Sequence, residues 1–134
     1  MRPPGVMRVG IDLVQISRIA ESVERFGERF LRRVFTDGEI AYATANPAHA
    51  SERLAARFAA KEATMKALGL VEDPSDWRHI EVHRLPSGAC DLALHGGVRE
   101  AARRLGAGAF ALSLSHEGDY ATAVVITTIH EVTH

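Results

Sequence analysis

The chain has 134 residues, 46% of them hydrophobic and 25% charged, with a formal net charge of −1. That length suits one domain around one core, and the charge leaves no basic field for bulk nucleic-acid binding. No apolar run approaches the ~20 residues of a membrane span. The one cysteine, Cys90, allows no disulfide within these residues, which is compatible with a reducing, cytoplasmic setting.

Met1-Arg2-Pro3-Pro4-Gly5 lacks the apolar stretch of a secretory signal. It reads as a loose leader through Val6, with Met7 an alternative start. Residues 9–14 predict a strand with a carboxylate in it, Asp12, a residue type depleted in strands. Ile16, Ile19, Val23 and Phe26 then recur at helical spacing, and Gly27 breaks the pattern. Phe30, Leu31, Val34 and Phe35 suggest a short helical or irregular piece. Thr36-Asp37-Gly38-Glu39 is a capping box opening a helix over 37–45, which Asn46-Pro47 stops. Residues 48–68 predict a long helix rich in Ala, Leu, Arg, Lys and Glu, with Gly69 placed for its C-terminal cap.

Asp73-Pro74-Ser75-Asp76 reads as a loop. Residues 79–85 and 90–94 form a hairpin around Pro86-Ser87-Gly88. Residues 98–105 make a helix between Gly96-Gly97 and Gly106. Strands 109–115 and 120–129 flank the turn Glu117-Gly118-Asp119. The order predicts an α+β domain, a single one over 1–134, with helices on one face of a largely antiparallel sheet.

The chemistry gathers in the long helix. At about 100° per residue, Arg57 and Lys61 stack four apart, as do Glu62 and Lys66. The surrounding residues are apolar, so these charges need either surface or a site holding a metal and phosphates. Two carboxylates from separate elements, Asp12 and Glu62, suit Mg²⁺, which takes hard oxygen ligands and keeps waters and substrate phosphates. The plainer alternatives are Asp12 capping the helix near Ile16, Glu62 paired with Lys66, and a solvated Arg/Lys face. Ser113-Leu114-Ser115-His116 ends a strand; alternation puts the serines on one face and Leu114 and His116 on the other. Arg18 and Arg25 are seven apart on one helix face, inside a run of arginines and glutamates that equally reads as a solvated surface.

Together, Gly10-Ile11-Asp12, Lys61-Glu62-Ala63-x-x-Lys66-Ala67 and Ser113-Leu114-Ser115-His116 resemble the holo-acyl-carrier-protein synthase family of 4′-phosphopantetheinyl transferases. The resemblance runs from about Val9 to about Ile126. It implies transfer of phosphopantetheine from coenzyme A to a serine of an apo acyl carrier protein, with Mg²⁺ as cofactor. It also implies a homotrimer with sites at subunit interfaces. By the same resemblance, Asp12 and Glu62 hold the metal, and Glu62, Lys66 and Asp12 are catalytic. Arg57, Lys61, Lys66, Ser115 and His116 contact the coenzyme, and Arg18 and Arg25 dock the carrier protein. The proton acceptor stays open between a metal-bound water and Glu62. A non-catalytic carrier-binding module is the alternative from another class, and the joint presence of Asp12, Glu62, Lys61 and Lys66 argues against it.

The chain departs from the family in a short loop after Leu68, and in Cys90-Asp91, expected to affect only the hairpin. His130-Glu131-Val132-Thr133-His134 matches a zinc-protease motif, but it follows a β-branched strand where that motif requires a helix, and it reads as coincidence. His79 and His83, four apart in an expected strand, are not spaced to chelate one metal.

Overall fold

In the computed structural model, residues 5–71 and 74–130 are described. Strand β1 (Val6–Gln15) is followed by helices α1 (Ile16–Phe26), α2 (Glu28–Val34), α3 (Asp37–Thr44) and α4 (Ala50–Leu68). Strands β2 (Ile80–Arg84) and β3 (Cys90–Leu94), helix α5 (Gly96–Arg104), and strands β4 (Ala107–Glu117) and β5 (Tyr120–Ile129) complete the chain. β1 begins at Val6, which pairs with Ile129 on β5. The expected leader is therefore one residue too long at its end, because this valine extends the ladder. Met1–Pro4 lie outside the described residues.

β5 is the middle strand of a three-stranded antiparallel sheet, between β1 and β4; β2 and β3 form a separate hairpin. Alternation decides what each face carries. Val9, Ile11 and Leu13 point outward and are more than half exposed, while Gly10 and Val14 point inward and are buried. On β5, Ala121, Ala123, Val125 and Thr127 are buried on the same inner face. α4 packs against it. The stripe Ala55, Ala59, Ala63 and Ala67 is wholly buried, and its methyl-sized side chains let the helix come close. The closest approach is at Gly10: a Cβ there would lie 1.8 Å from the carbonyl oxygen of Ala63 and 2.8 Å from the amide nitrogen of Ala67. Strand and helix meet main chain to main chain.

The other flank of α4 faces α3 and β2, and a second cluster joins Met65 and Leu68 to Ile80, Val98 and Ala102. The helix ends at Gly69 in the left-handed conformation, φ 67°, as Gly after a periodic run predicts. The capping box also forms: Thr36 Oγ1 accepts from the Glu39 amide, and Glu39 Oε1 accepts from the Thr36 amide. α1 is capped from a distance. The Ile16 amide donates to the Asp119 carbonyl, and the Ser17 amide and hydroxyl donate to the Asp119 carboxylate at 3.0 and 2.6 Å. Asp119, in the turn between β4 and β5, does what the sequence alternatively offered for Asp12. No described helix is long and apolar enough to cross a membrane.

Candidate active site

Asp12 leaves β1 on its inner face, two residues beyond Gly10. Lys66, one turn beyond Glu62 on α4, donates to Asp12 Oδ1 at 3.1 Å and to the Ile11 carbonyl at 3.0 Å. Lys66 thus pairs with Asp12 rather than with Glu62, the plainer alternative, and ties helix to strand. Glu62 Oε1 accepts the indole N–H of Trp77 at 3.1 Å. Asp12 and Glu62 line one cavity of about 570 Å³ with Arg18, Phe58 and Tyr120. The two carboxylates and Arg18, one of the two arginines expected to dock the carrier, therefore line the same cavity. Arg25 lies in the last turn of α1, its guanidinium 5.4 Å from the centre of the Phe26 ring, and does not line this cavity.

Among the described residues no group of three or more His, Cys, Asp and Glu side chains is placed to hold a metal. A structural zinc site would need four such ligands. Two carboxylates on an open cavity instead fit Mg²⁺, which fills the rest of its octahedron with water and phosphate oxygens. His130 follows β5 directly, off any helix, and the rest of the zinc-protease motif lies outside the described residues.

A second cavity, about 370 Å³, brings together Arg57, Ser115 and His116 with Tyr42, Arg53 and Arg84. Arg53 and Arg57 each stack a guanidinium 4.3 Å from the centre of the Tyr42 ring, and Arg84 donates to its hydroxyl at 2.7 Å. Burial pushes the Tyr42 phenol up, but the Arg84 bond and the surrounding guanidinium charges outweigh it and hold the phenol below its ordinary value. Arg57 is 4% exposed; it donates to the Arg53 carbonyl, and its Nε has no partner. Burial lowers its pKa. Cationic groups held this way suit a polyanion such as a phosphate. Cys90 also lines this cavity, so its departure from the family reaches beyond the hairpin. Tyr42, Arg53 and Arg84 carry no motif in the sequence, and only tertiary packing gathers them.

Lys61 lies in neither cavity. It is fully buried, and its ammonium donates to Glu39 Oε1 at 2.7 Å, to the Trp77 carbonyl at 3.0 Å and to the Ile80 carbonyl. Glu39, also buried, takes a further bond from the Val82 amide at 3.0 Å. The expected coenzyme contact through Lys61 is thus corrected: the helical stripe shared with Arg57 turns into the interior, where a carboxylate and two carbonyls meet the ammonium. Burial pulls the Lys61 pKa below the lysine range, with Glu39 opposing.

The model of the 4′-phosphopantetheinyl transferase superfamily matches residues 8–125. The chain is 46% identical over 122 residues to a holo-[acyl-carrier-protein] synthase of Koribacter versatilis, covering 90% of this chain and 97% of the relative. It is 45% identical over 121 residues to that of Moorella thermoacetica, covering 90% and 93%. Among solved structures, a Chronobacterium ammoniagenes ACPS–CoA complex superposes with a TM-score of 0.82 at 36% identity, covering 94% of this chain and 99% of that one. The Helicobacter pylori holo-[acyl-carrier-protein] synthase in complex with coenzyme A gives 0.76 at 30% identity, covering 89% and 98%. The chain belongs to the 4′-phosphopantetheinyl transferase superfamily and, within it, to the holo-[acyl-carrier-protein] synthases.

Proposed function

We propose that this chain transfers 4′-phosphopantetheine from coenzyme A to a serine of an apo acyl carrier protein, releasing adenosine 3′,5′-bisphosphate. The convergence of Asp12 and Glu62 on one cavity carries the reading. The serine oxygen bonds to the β-phosphorus, the bond from that phosphorus to the bridging oxygen breaks, and the serine proton passes to a base at this cavity. Asp12 and Glu62 would hold Mg²⁺, which supplies neutralisation of the pyrophosphate charge. Lys66 holds Asp12 in place and adds a positive charge beside it. Arg57, Ser115 and His116 form the anion cavity for the coenzyme's phosphates. Arg18, on the rim of the Asp12 cavity, meets the acidic surface of the carrier, and Arg25 extends that basic face along α1.

The two cavities have separate linings within one copy. A homotrimer with sites at the subunit interfaces, one copy's carboxylates beside its neighbour's arginines, accounts for this. The outer sheet face, with Met7, Val9, Ile11 and Leu13 exposed, is the apolar surface such an assembly would bury. A cytoplasmic setting fits the single unpaired cysteine.

The test is the intact mass of an apo carrier protein after incubation with this protein, coenzyme A and Mg²⁺, with EDTA in a parallel sample. A metal-dependent gain of one phosphopantetheine is expected. No gain with folded protein, tried against several carriers, would overturn the reading in favour of a carrier-binding module.

A further inference from the structure

Trp77 is the one tryptophan of the chain and lies in the short turn of helix before β2, outside every recognised motif. Three contacts fix it. Its carbonyl accepts from the buried Lys61 ammonium at 3.0 Å. Its ring meets Phe58 edge to face, centroids 5.5 Å apart and planes at 65°. Its indole N–H donates to Glu62 Oε1 at 3.1 Å. Lys61, Phe58 and Glu62 lie within five residues of one another on α4, so one turn of helix grips the main chain, the ring and the donor of the same residue. A partly buried indole N–H seeks a partner, and here the partner is a carboxylate on the proposed active-site cavity.

We propose that Trp77 is a positioning residue for Glu62, holding its carboxylate in the rotamer that receives a divalent cation. A glutamate side chain loses much rotamer freedom when it is fixed, and a bond that fixes it before the ion arrives removes that cost from binding. Lys61 takes part indirectly: by gripping the Trp77 carbonyl it sets where the indole points. The buried cation that the family resemblance assigns to the coenzyme therefore serves the site through the residue beside it. The inference rests on the metal reading of Asp12 and Glu62 given above.

Mn²⁺ binding to the full chain tests it, read as loss of the free-ion paramagnetic resonance signal with coenzyme A present and its own uptake subtracted. Trp77→Phe keeps the ring on Phe58 and removes the donor. Its Mn²⁺ dissociation constant should rise roughly 10-fold to 100-fold, the usual effect of losing a partner that orients a metal ligand, with the thermal midpoint little changed. An unchanged dissociation constant overturns the positioning role and leaves the metal reading standing. No uptake by the wild type, or full uptake by Glu62→Gln, overturns the metal reading and this proposal with it.

Should the phenylalanine variant not fold, the wild-type tryptophan emission, excited where tyrosine does not absorb, reports the same contact, since Trp77 is its one source. A saturable change with Mg²⁺ that Glu62→Gln abolishes is expected. Emission indifferent to Mg²⁺, in a protein that takes up Mn²⁺, overturns the proposal.

Discussion

Lys61→Met distinguishes an internal strut from a phosphate contact. The substitution keeps length and apolar bulk but removes the ammonium. Glu39 then keeps its bonds from the Thr36 and Val82 amides and loses its counter-charge, while the Trp77 and Ile80 carbonyls lose a donor. Removing one partner of a buried ion pair costs about 3–5 kcal/mol. At about 2.1 cal/mol/K per residue, the unfolding entropy of 134 residues is roughly 0.28 kcal/mol/K. The expected loss in thermal midpoint is therefore about 11–18 °C at fixed protein concentration. Calorimetry or circular dichroism reads it directly. Glu39→Gln should also destabilise, and the double variant should lose less than the sum of the two, since neither partner is then left charged and alone. A Lys61→Met variant that melts within about 3 °C of wild type, less than a kcal/mol on this scale, would refute the reasoning.

Glu62→Gln should abolish carrier modification while leaving the fold and thermal midpoint near wild type; near-normal turnover would remove Glu62 from the catalytic set. Asp119→Ala should cost about 0.5–2 kcal/mol, measured by urea unfolding, because the Ser17 amide and hydroxyl lose the carboxylate they donate to, while the bond from the Ile16 amide to the main-chain carbonyl stays. It should also raise KM for the carrier more than KM for coenzyme A, since Arg18 follows Ser17 directly. Glu81 provides an acid-sensitive link. Its carboxyl is pushed up by burial, but bonds from Thr36, His95 and His83 outweigh this and hold it below the ordinary glutamate value. The folded state thus binds fewer protons than the unfolded one. Its stabilisation is complete above about pH 4.5 and is lost as pH falls through the lowered value. Glu81→Gln should flatten the stability profile in that range, read by unfolding at a series of pH values.

Local signals carried far in this sequence, and long-range ones did not. The capping box at Thr36 and the cap at Gly69 concern groups a few residues apart, so the chain spells them out. Asp12 meets both Glu62 and Lys66 because strand alternation and helical spacing each restrict where these side chains point. Lys61 went the other way. α4 is apolar around most of its circumference, and periodicity can say that Arg57 and Lys61 share a stripe without saying what the stripe faces. Its counter-ion, Glu39, already had a local explanation in the capping box, which hid a partner 22 residues away. Asp119 looked complete as a turn residue and Cys90 as a hairpin residue; each has a second role that exists only after the chain has folded. Trp77 gave one usable signal, its being the single tryptophan, placed between the expected loop over 73–76 and the expected strand from 79.

The contact at Gly10 has a bearing on how the site tolerates change. β1 brings Asp12 and α4 brings Glu62, and the gap between those elements is gauged where a glycine α-carbon rests on the Ala63 carbonyl. No side chain is interposed there, so no side-chain volume enters the measurement. Elsewhere in the core, exchanging one aliphatic residue for another shifts neighbours by fractions of an ångström and alters stability. At this point the spacing is calibrated by peptide planes, whose dimensions are the same in every protein. Such a site can keep its carboxylates in register while the rest of the interior is rewritten.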